Sequence, residues 1–162
     1  MAGAHVRIDN RLIHGQVTVA WTRRLGVRRL LVCNDDVAAD DLQRMLLPQA
    51  ARGLPTDVLS VADALADLLA APAAPGVMII AQHPEDAFRL VEGGLRPEVV
   101  NVGNVAPRPG APFTMVTRSI AVTADEADAY RKLAATGIPL VTQLMPQDKP
   151  TEFVPLLDRK GL

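Results

Sequence analysis

A seven-residue segment near the N-terminus combines side-chain types that suit phosphoryl chemistry. The segment Asp9–Gly15 (DNRLIHG) holds an acid, an amide, an arginine, a histidine and a glycine. The neutral imidazole of His14 can act as a nucleophile near pH 7, and the Arg11 guanidinium is a planar donor fork that suits a phosphoryl group. We therefore predict that His14 is placed to accept and hold a phosphoryl group.

This segment lies between a predicted strand over Val6–Ile8 and a predicted helix over Gln16–Leu25. Ligands of parallel α/β sheets bind beyond the carboxyl ends of the strands, and the free N–H groups at a helix N-terminus attract anions. Gly15 and Gln16 are therefore predicted to bind the phosphoryl group. Because Gly15 lets a bulky donor approach closely, valine there is expected to slow transfer and to leave the melting temperature nearly unchanged.

Ordinary structural roles could explain each of these residues taken alone. A loop histidine is more often a hydrogen-bonding or exposed residue than a functional one. Arg11 could be a solvated charge or an ion-pair partner for Asp9, and Asp9 could hydrogen-bond the amides of the turn. It is their combination immediately before a helix that favours phosphoryl chemistry.

Two polar residues, Asn34 and Asp35, follow a second predicted strand over Leu30–Cys33. They fall at the same edge of the sheet and are candidates for crevice and partner contacts, although helix capping explains them nearly as well. Cys33 is expected to belong to the core, as a lone cysteine that ends an apolar strand usually does.

The segment Asn101–Asn104 (NVGN) comes at the end of another predicted strand over Val99–Val102. We predict that Asn101, Gly103 and Asn104 line the same crevice, and an ordinary turn at the end of a strand is the alternative.

Neither a metal nor a cofactor is expected. His5 and His83 are not spaced with cysteines or carboxylates as the ligands of a zinc site would be. The chain also has no GxxxxGK[ST] phosphate loop and no GxGxxG fingerprint after its first strand. These absences weigh against nucleotide hydrolysis and dinucleotide redox chemistry.

Short apolar runs alternate about five times with segments of helical period. This alternation predicts one α/β domain over residues 1–162, with an open, mainly parallel twisted sheet and helices on both faces. Besides the strands named above, we predict strands over Asp57–Leu59, Val77–Ala81, Arg118–Val122 and Pro139–Leu144. The proline that begins the last strand suggests an edge position, which leaves room for an antiparallel edge strand.

The other helices are predicted from apolar stripes and capping residues. One helix is expected to bury Ala38, Leu42, Met45 and Leu46, with Asp35 or Asp36 as its N-cap. The remaining predicted helices begin at Ser60, at Pro84 and at the capping box over 123–126, and the tail over 151–162 is expected to pack as a short helix. The segment 72–76 (PAAPG) is predicted to be a turn.

Composition limits the class of protein. The chain has 162 residues, with 17 Lys+Arg against 18 Asp+Glu, whereas a nucleic-acid binder needs a clustered basic surface. A single cysteine cannot form an internal disulfide, which favours a reducing cytosol. No apolar run reaches the ~18 residues that a membrane span requires, and the N-terminus lacks the pattern of a signal peptide.

Residues 6–17 (VRIDNRLIHGQV) resemble the signature of IIB components of the mannose/fructose/sorbose class of the bacterial sugar phosphotransferase system. The similarity continues in consistent order through residues 34–40, 46–50, 91–94 and 101–104, with Gly110 in the following loop, to at least the turn at Gly137. The twelve-residue motif around the histidine is specific. The proline-rich segment 106–110 (APRPG) departs from relatives, which often carry an aromatic residue or a histidine there.

The resemblance implies that His14 is the phosphorylated residue of an enzyme, with Arg11 and Asp9 as further catalytic residues in its loop. Family members take a phosphoryl group from the phosphohistidine of a IIA component and pass it to a sugar imported by membrane IIC and IID subunits. The expected location is the cytoplasm, at the inner face of the membrane when docked to the permease, and a homodimer is left open. Because the chain ends soon after its last strand, we expect a free-standing IIB component.

Two other functions stay open on sequence alone. A regulatory phosphocarrier without sugar transport would use the same His14 loop, and neighbouring genes for IIC and IID would argue against it. A metabolite-binding or thiol-dependent enzyme of the same fold would keep its activity after loss of His14.

Overall fold

The computed structural model describes residues 3–71 and 76–162, in which strands and helices alternate along most of the chain. The strands are β1 (His5–Ile8), β2 (Arg29–Cys33), β3 (Thr56–Leu59), β4 (Val77–Ala81), β5 (Val99–Val102), β6 (Thr114–Thr117), β7 (Ile120–Val122), β8 (Leu140–Thr142) and β9 (Thr151–Glu152). The helices are α1 (Gly15–Leu25), α2 (Asp35–Ala39), α3 (Asp41–Ala50), α4 (Val61–Ala70), α5 (Pro84–Glu92), α6 (Ala124–Ala135) and α7 (Val154–Arg159).

The main sheet has seven strands in the order β3-β2-β4-β1-β5-β8-β9. Every neighbouring pair is parallel except β8 and β9, which are antiparallel. Strands β6 and β7 form a separate antiparallel hairpin. The predicted open and mainly parallel sheet with an antiparallel edge is confirmed.

Helices cover both faces of this sheet because alternate residues of its strands point to opposite sides. In β2, Leu31 packs in the core that includes Leu90 of α5 and Tyr130 of α6. Its neighbour Leu30 packs in the second core, which includes Trp21 of α1. The apolar run of β2 is therefore buried from both sides, as its lack of alternation predicts.

The loop after β1 lies where the direction of the chain connections changes. β1 sits between β4 and β5; the chain leaves β1 toward β2 on one side and leaves β5 toward β8 on the other. Adjacent loops that diverge in this way open a crevice at the carboxyl edge of a parallel sheet, which is the usual place for a ligand. The fold thus puts the predicted histidine loop beside that crevice.

The predicted single helix after β2 is wrong in two respects. Asn34 caps α2 through a bond to the Val37 amide, and Asp40 then caps a second helix, α3, by accepting from two amides, so the chain bends between them. The predicted stripe is also not core, since its three large members are exposed by 59%, 57% and 48%: Leu42, Met45 and Leu46.

The C-terminal half differs from prediction mainly at its short strands. The strand predicted over Arg118–Val122 is the second arm of the hairpin, and its first arm, β6, is not predicted. The strand predicted over Pro139–Leu144 is confirmed in part as β8, but β9 covers it and forms the edge. The tail helix is confirmed as α7, whereas most of the turn predicted over 72–76 lies outside the described residues.

Candidate functional site

The loop between β1 and α1 is held in a defined shape at both ends. Its first residue, Asp9, donates its backbone N–H to Ala81 O of β4 at 2.9 Å, and Leu12 donates to Asp9 O at 3.1 Å. Leu12 and Ile13 are only 5% and 6% exposed and pack in the core that contains Trp21. Leu12 has a φ of 61°, a left-handed conformation that is unfavourable for a leucine. Burial of these two side chains therefore holds the loop in its shape.

The His14 ring is fixed by a buried carboxylate. His14 Nε2 lies 2.9 Å from Asp9 Oδ2, and the side chains are 17% and 1% exposed. The other oxygen of Asp9 accepts the Arg11 backbone N–H at 3.0 Å. An ionised carboxylate only accepts hydrogen bonds, so beside an ionised Asp9 the neutral ring would carry its proton on Nε2 and its lone pair on Nδ1. The ring is thus oriented with one nitrogen engaged and the other available.

The counter-ion of Asp9 is Arg7, a residue that the sequence analysis did not single out. Arg7 Nε lies 3.4 Å from Asp9 Oδ2, and the two side chains are 2% and 1% exposed. Burial lowers the pKa of the Arg7 guanidinium, and the charge of Asp9 opposes that shift. The signal for Arg7 was present in the sequence, because residues two apart in a strand share a face and an arginine inside a buried strand needs a partner.

The beginning of α1 offers unpaired backbone donors next to the ring. His14 is the N-cap of α1 but makes no side-chain capping bond, and the first turn has no acidic residue. The first N–H groups of a helix have no partner within the helix and carry the positive end of its dipole. Gly15 and Gln16 are both exposed there. An anion beside His14 would therefore meet free donors and no acidic side chain of this turn.

Arg11 projects into solvent rather than toward Asp9. Its side chain is exposed and forms no ion pair within residues 3–71 and 76–162. The Arg11–Asp9 ion pair considered as an alternative is therefore absent, since Asp9 contacts the backbone of Arg11 and not its side chain. Within the described residues, the guanidinium is thus open to an external anion.

Asn10, which the sequence analysis did not single out by itself, joins the histidine loop to the loop after β5. Its side chain donates to Ala106 O at 2.8 Å and accepts the Ala106 N–H at 2.9 Å, while its backbone N–H bonds to Asn104 O. Asn104 is thus brought to the histidine loop through its backbone, and the proline-rich segment 106–110 is fixed at its first residue.

The other predicted crevice residues have structural contacts. Asn34 is 5% exposed and donates to Asp86 at 2.8 Å; Asp35 is exposed and bonds to Arg89 at 2.9 Å. Asn101 is fully buried. Its side chain exchanges two hydrogen bonds with the backbone of Gln143, so Asn101 does not reach the surface in this structure.

Neither of the other histidines nor the cysteine resembles His14. His83 Nδ1 is held 2.5 Å from Arg108, and burial together with the Arg108 charge lowers the His83 pKa to about 4. Burial and the charge of Arg7 lower the His5 pKa to about 4 as well. Burial raises the pKa of the Cys33 thiol to about 12, which argues against a thiolate nucleophile.

The comparisons with known proteins agree on one family. The family profile described as "PTS system sorbose subfamily IIB component" matches residues 4–162. The chain belongs to this family. This IIB component is 38% identical over 156 residues to the mannose-specific EIIAB component of Escherichia coli, covering 94% of this chain but 47% of that protein, so it spans about half the length of that relative.

Shorter relatives match along most of their length. The sorbose-specific EIIB component of Klebsiella pneumoniae is 34% identical over 145 residues, which cover 88% of this chain and 87% of that protein. The crystal structure of the IIBSor domain of the sorbose permease from the same organism superposes with a TM-score of 0.89 and 30% identity, over 97% of both chains. The resemblance found in the sequence is therefore confirmed for the family and for the fold.

No helix within residues 3–71 and 76–162 is both long and apolar enough to cross a bilayer. The same two ranges contain no group of three or more His, Cys, Asp or Glu residues that could hold a metal ion.

The IIB chain is expected to lose stability in mild acid partly through His5. Its folded pKa of about 4 lies below the ordinary value of 6.5, so the unfolded chain binds more protons between these values and acid favours unfolding. We expect His5→Gln to remove about 1–2 kcal/mol of the stability loss between pH 7.5 and pH 5. Urea unfolding of both proteins at the two pH values measures this difference; equal losses would contradict it.

Gly15 requires a correction to the expectation made from sequence. Its φ is 49°, and a Cβ added there would meet no atom within 4 Å, so the constraint is conformational and not steric. A β-branched residue is strained at positive φ. Gly15→Val is therefore expected to destabilise the protein by about 1–2 kcal/mol, and Gly15→Asn by less, because asparagine tolerates this conformation. Equal urea midpoints for both variants would show that the positive φ is not required.

Proposed function

We propose that this IIB component is a phosphohistidine relay in which His14 accepts a phosphoryl group from a phosphorylated IIA protein and passes it to a sugar held by membrane IIC and IID subunits. The observation that carries this proposal is the bond of His14 Nε2 to buried Asp9 at the start of α1. That bond leaves Nδ1 as the nucleophilic nitrogen. The names of the relatives, which specify mannose, sorbose and fructose, support a sugar as the final acceptor.

The first step exchanges one N–P bond for another. His14 Nδ1 uses its lone pair to form a bond to phosphorus, while the N–P bond of the donor histidine breaks and its electron pair stays on the donor nitrogen. No proton has to move from His14, because Nε2 keeps its hydrogen throughout. The ring therefore becomes positively charged as the phosphoryl group arrives, and the Asp9 carboxylate at 2.9 Å stabilises that charge.

The negative charge of the phosphoryl group is stabilised from the opposite side. In the transition state of transfer, this group carries its negative charge on three oxygens. The unpaired amides at the beginning of α1 and the exposed Arg11 guanidinium are the donors within this loop. Arginine can bind two phosphoryl oxygens in a bidentate fork. We assign Arg11 and the backbone of Gly15 and Gln16 to this role.

The second step consumes the phosphohistidine. A sugar hydroxyl oxygen forms the bond to phosphorus, the His14 N–P bond breaks, and the hydroxyl proton passes to a base. A chain that serves both a IIA donor and a membrane permease must work at the cytoplasmic face of the membrane, docked to IIC and IID during this step. Residues 1–162 act as one IIB unit that presents the carboxyl edge of its sheet to each partner in turn.

Incubation of the purified chain with a phosphorylated IIA protein tests the proposal. Intact-mass spectrometry is expected to show one added phosphoryl group that is labile in acid and stable in base, and that maps to His14. Sugar phosphate should then form only when membranes with the IIC and IID subunits are added. Failure to take up phosphoryl would refute the relay, and uptake without sugar phosphate formation would favour the regulatory phosphocarrier.

A further inference from the structure

We infer that Arg7 is a positioning residue for the transfer reaction: it keeps Asp9 ionised and thereby sets which nitrogen of His14 carries the proton. This inference rests on the proposed function for its kinetic consequence. The structural observation behind it is that one oxygen of Asp9, Oδ2, lies 2.9 Å from His14 Nε2 and 3.4 Å from Arg7 Nε. Arg7 is therefore one contact removed from the reacting ring.

Burial makes the charge of Asp9 depend on Arg7. Asp9 is 1% exposed and Arg7 is 2% exposed, so water contributes little to either charge. A buried carboxylate without a nearby cation tends to take up a proton. Within the described residues Arg7 is the arginine or lysine that forms an ion pair with Asp9. Removal of Arg7 would therefore favour the neutral form of Asp9.

The charge of Asp9 decides the tautomer of His14. An ionised carboxylate accepts only and requires a proton on Nε2, which leaves Nδ1 unprotonated. A neutral carboxylic acid can instead donate its O–H to Nε2, and the ring proton then moves to Nδ1. In that state the lone pair of His14 faces Asp9, and the nitrogen at the open side of the ring cannot attack phosphorus.

The residues around Arg7 contact its guanidinium on several sides, while Nη2 is buried without a hydrogen-bond partner in the described part of the chain. Arg7 Nη1 donates to Gln143 O at 3.2 Å, and Asn101 fixes Gln143 by two hydrogen bonds. The guanidinium lies 5.5 Å from the Trp21 ring centroid. A Cβ on Gly103 would overlap the Arg7 guanidinium, so glycine is needed there for space. Two residues that the sequence analysis assigned to the crevice, Asn101 and Gly103, thus surround Arg7 instead.

Three variants separate this role from a general effect on folding. Arg7→Met removes the charge, Arg7→Lys keeps it without the planar fork, and Gly103→Ala displaces an intact Arg7. Arg29→Met is the matched control. Arg29 begins β2, at the end of that strand away from the carboxyl edge, and forms ion pairs with Asp57 and Asp67. If Arg7→Met does not fold, Arg7→Lys and Gly103→Ala carry the test.

The first readout is the tautomer of His14 in the unphosphorylated protein, measured by NMR of ¹⁵N-labelled histidine at pH 8. We expect the Nε2–H form in the wild type, Arg29→Met and, for the most part, Arg7→Lys, and a shift toward the Nδ1–H form in Arg7→Met and Gly103→Ala. An unchanged Nε2–H tautomer in folded Arg7→Met, or in folded Gly103→Ala if the former does not fold, would overturn the inference. Because no phosphoryl donor is present, this result does not depend on the proposed function.

The second readout is transfer from the phosphorylated IIA protein. A buried residue cannot touch the donor, so Arg7→Met is expected to lower kcat about 10–100-fold with KM unchanged, and Arg7→Lys to recover part of the rate. An increase in KM with kcat unchanged would also overturn the inference. If the wild type itself accepts no phosphoryl group, the proposed function fails, and the tautomer alone decides the role of Arg7.

Discussion

The His14→Ala variant is expected to take up no phosphoryl group from a phosphorylated IIA protein. The reaction needs an accessible nitrogen lone pair beside anion-binding donors, and His14 combines both at the start of α1. Its removal should have little effect on folding, because the ring makes one side-chain hydrogen bond and is partly exposed. Phosphoryl uptake measured by intact mass, with urea unfolding of the same preparations, provides the test.

His5→Ala and His83→Ala are the matched controls, and both should be phosphorylated like the wild type. Burial lowers the pKa of each of these rings to about 4. His5 begins β1, at the opposite end of that strand from the histidine loop, and His83 is held by Arg108. Phosphorylation of the His14→Ala variant combined with loss of phosphorylation in either control would move the acceptor to that other histidine.

Arg11→Ala is expected to slow single-turnover transfer by about 10²–10³-fold, the usual effect of removing one donor that stabilises charge in the transition state. Arg11→Lys should lie between, because lysine keeps the charge but not the bidentate geometry. Both variants should unfold at nearly the wild-type urea midpoint, since Arg11 is exposed and forms no ion pair in the described part of the chain. Rates and midpoints are measured on the same preparations.

Arg24→Ala is the matched control for this prediction. Arg24 is also exposed and lies in the last turn of α1, so the control removes the same charge from the far end of the same helix. Its transfer rate should stay within a few-fold of wild type. Normal transfer in Arg11→Ala together with a large loss of stability would make Arg11 a structural residue and remove it from the mechanism.

The position of the site could be predicted because it depends on local chemistry. A loop that follows a strand and precedes a helix lies at the carboxyl edge of a parallel sheet, whichever strands flank it. The cation beside Asp9 was missed, although the strand predicted over Val6–Ile8 carried the signal for it. Arg7 and Arg11 are both two residues from Asp9, and only the end of β1 at Ile8 decides that Arg7 shares its face while Arg11 has turned away.

Long-range contacts account for most of the remaining errors. The apolar residues Leu42, Met45 and Leu46 have a perfect helical spacing. Because Asp40 begins a new helix, α3, with a different direction, these residues nevertheless face solvent. The bond between Asn10 and Ala106 joins residues 96 positions apart, which no local pattern indicates. Periodicity identifies an amphipathic helix and its apolar face, but the surface on which that helix lies depends on the whole fold.

The left-handed conformation of Leu12 affects the rate of phosphoryl transfer in the proposed function. A leucine at φ 61° does not hold this shape by its own preference, and its buried side chain keeps the loop there before any donor arrives. Little reorganisation of the acceptor is then needed during an encounter, and a pre-aligned nucleophile avoids that part of the barrier. Rearrangement of the accepting loop should therefore contribute little to the barrier of phosphoryl transfer.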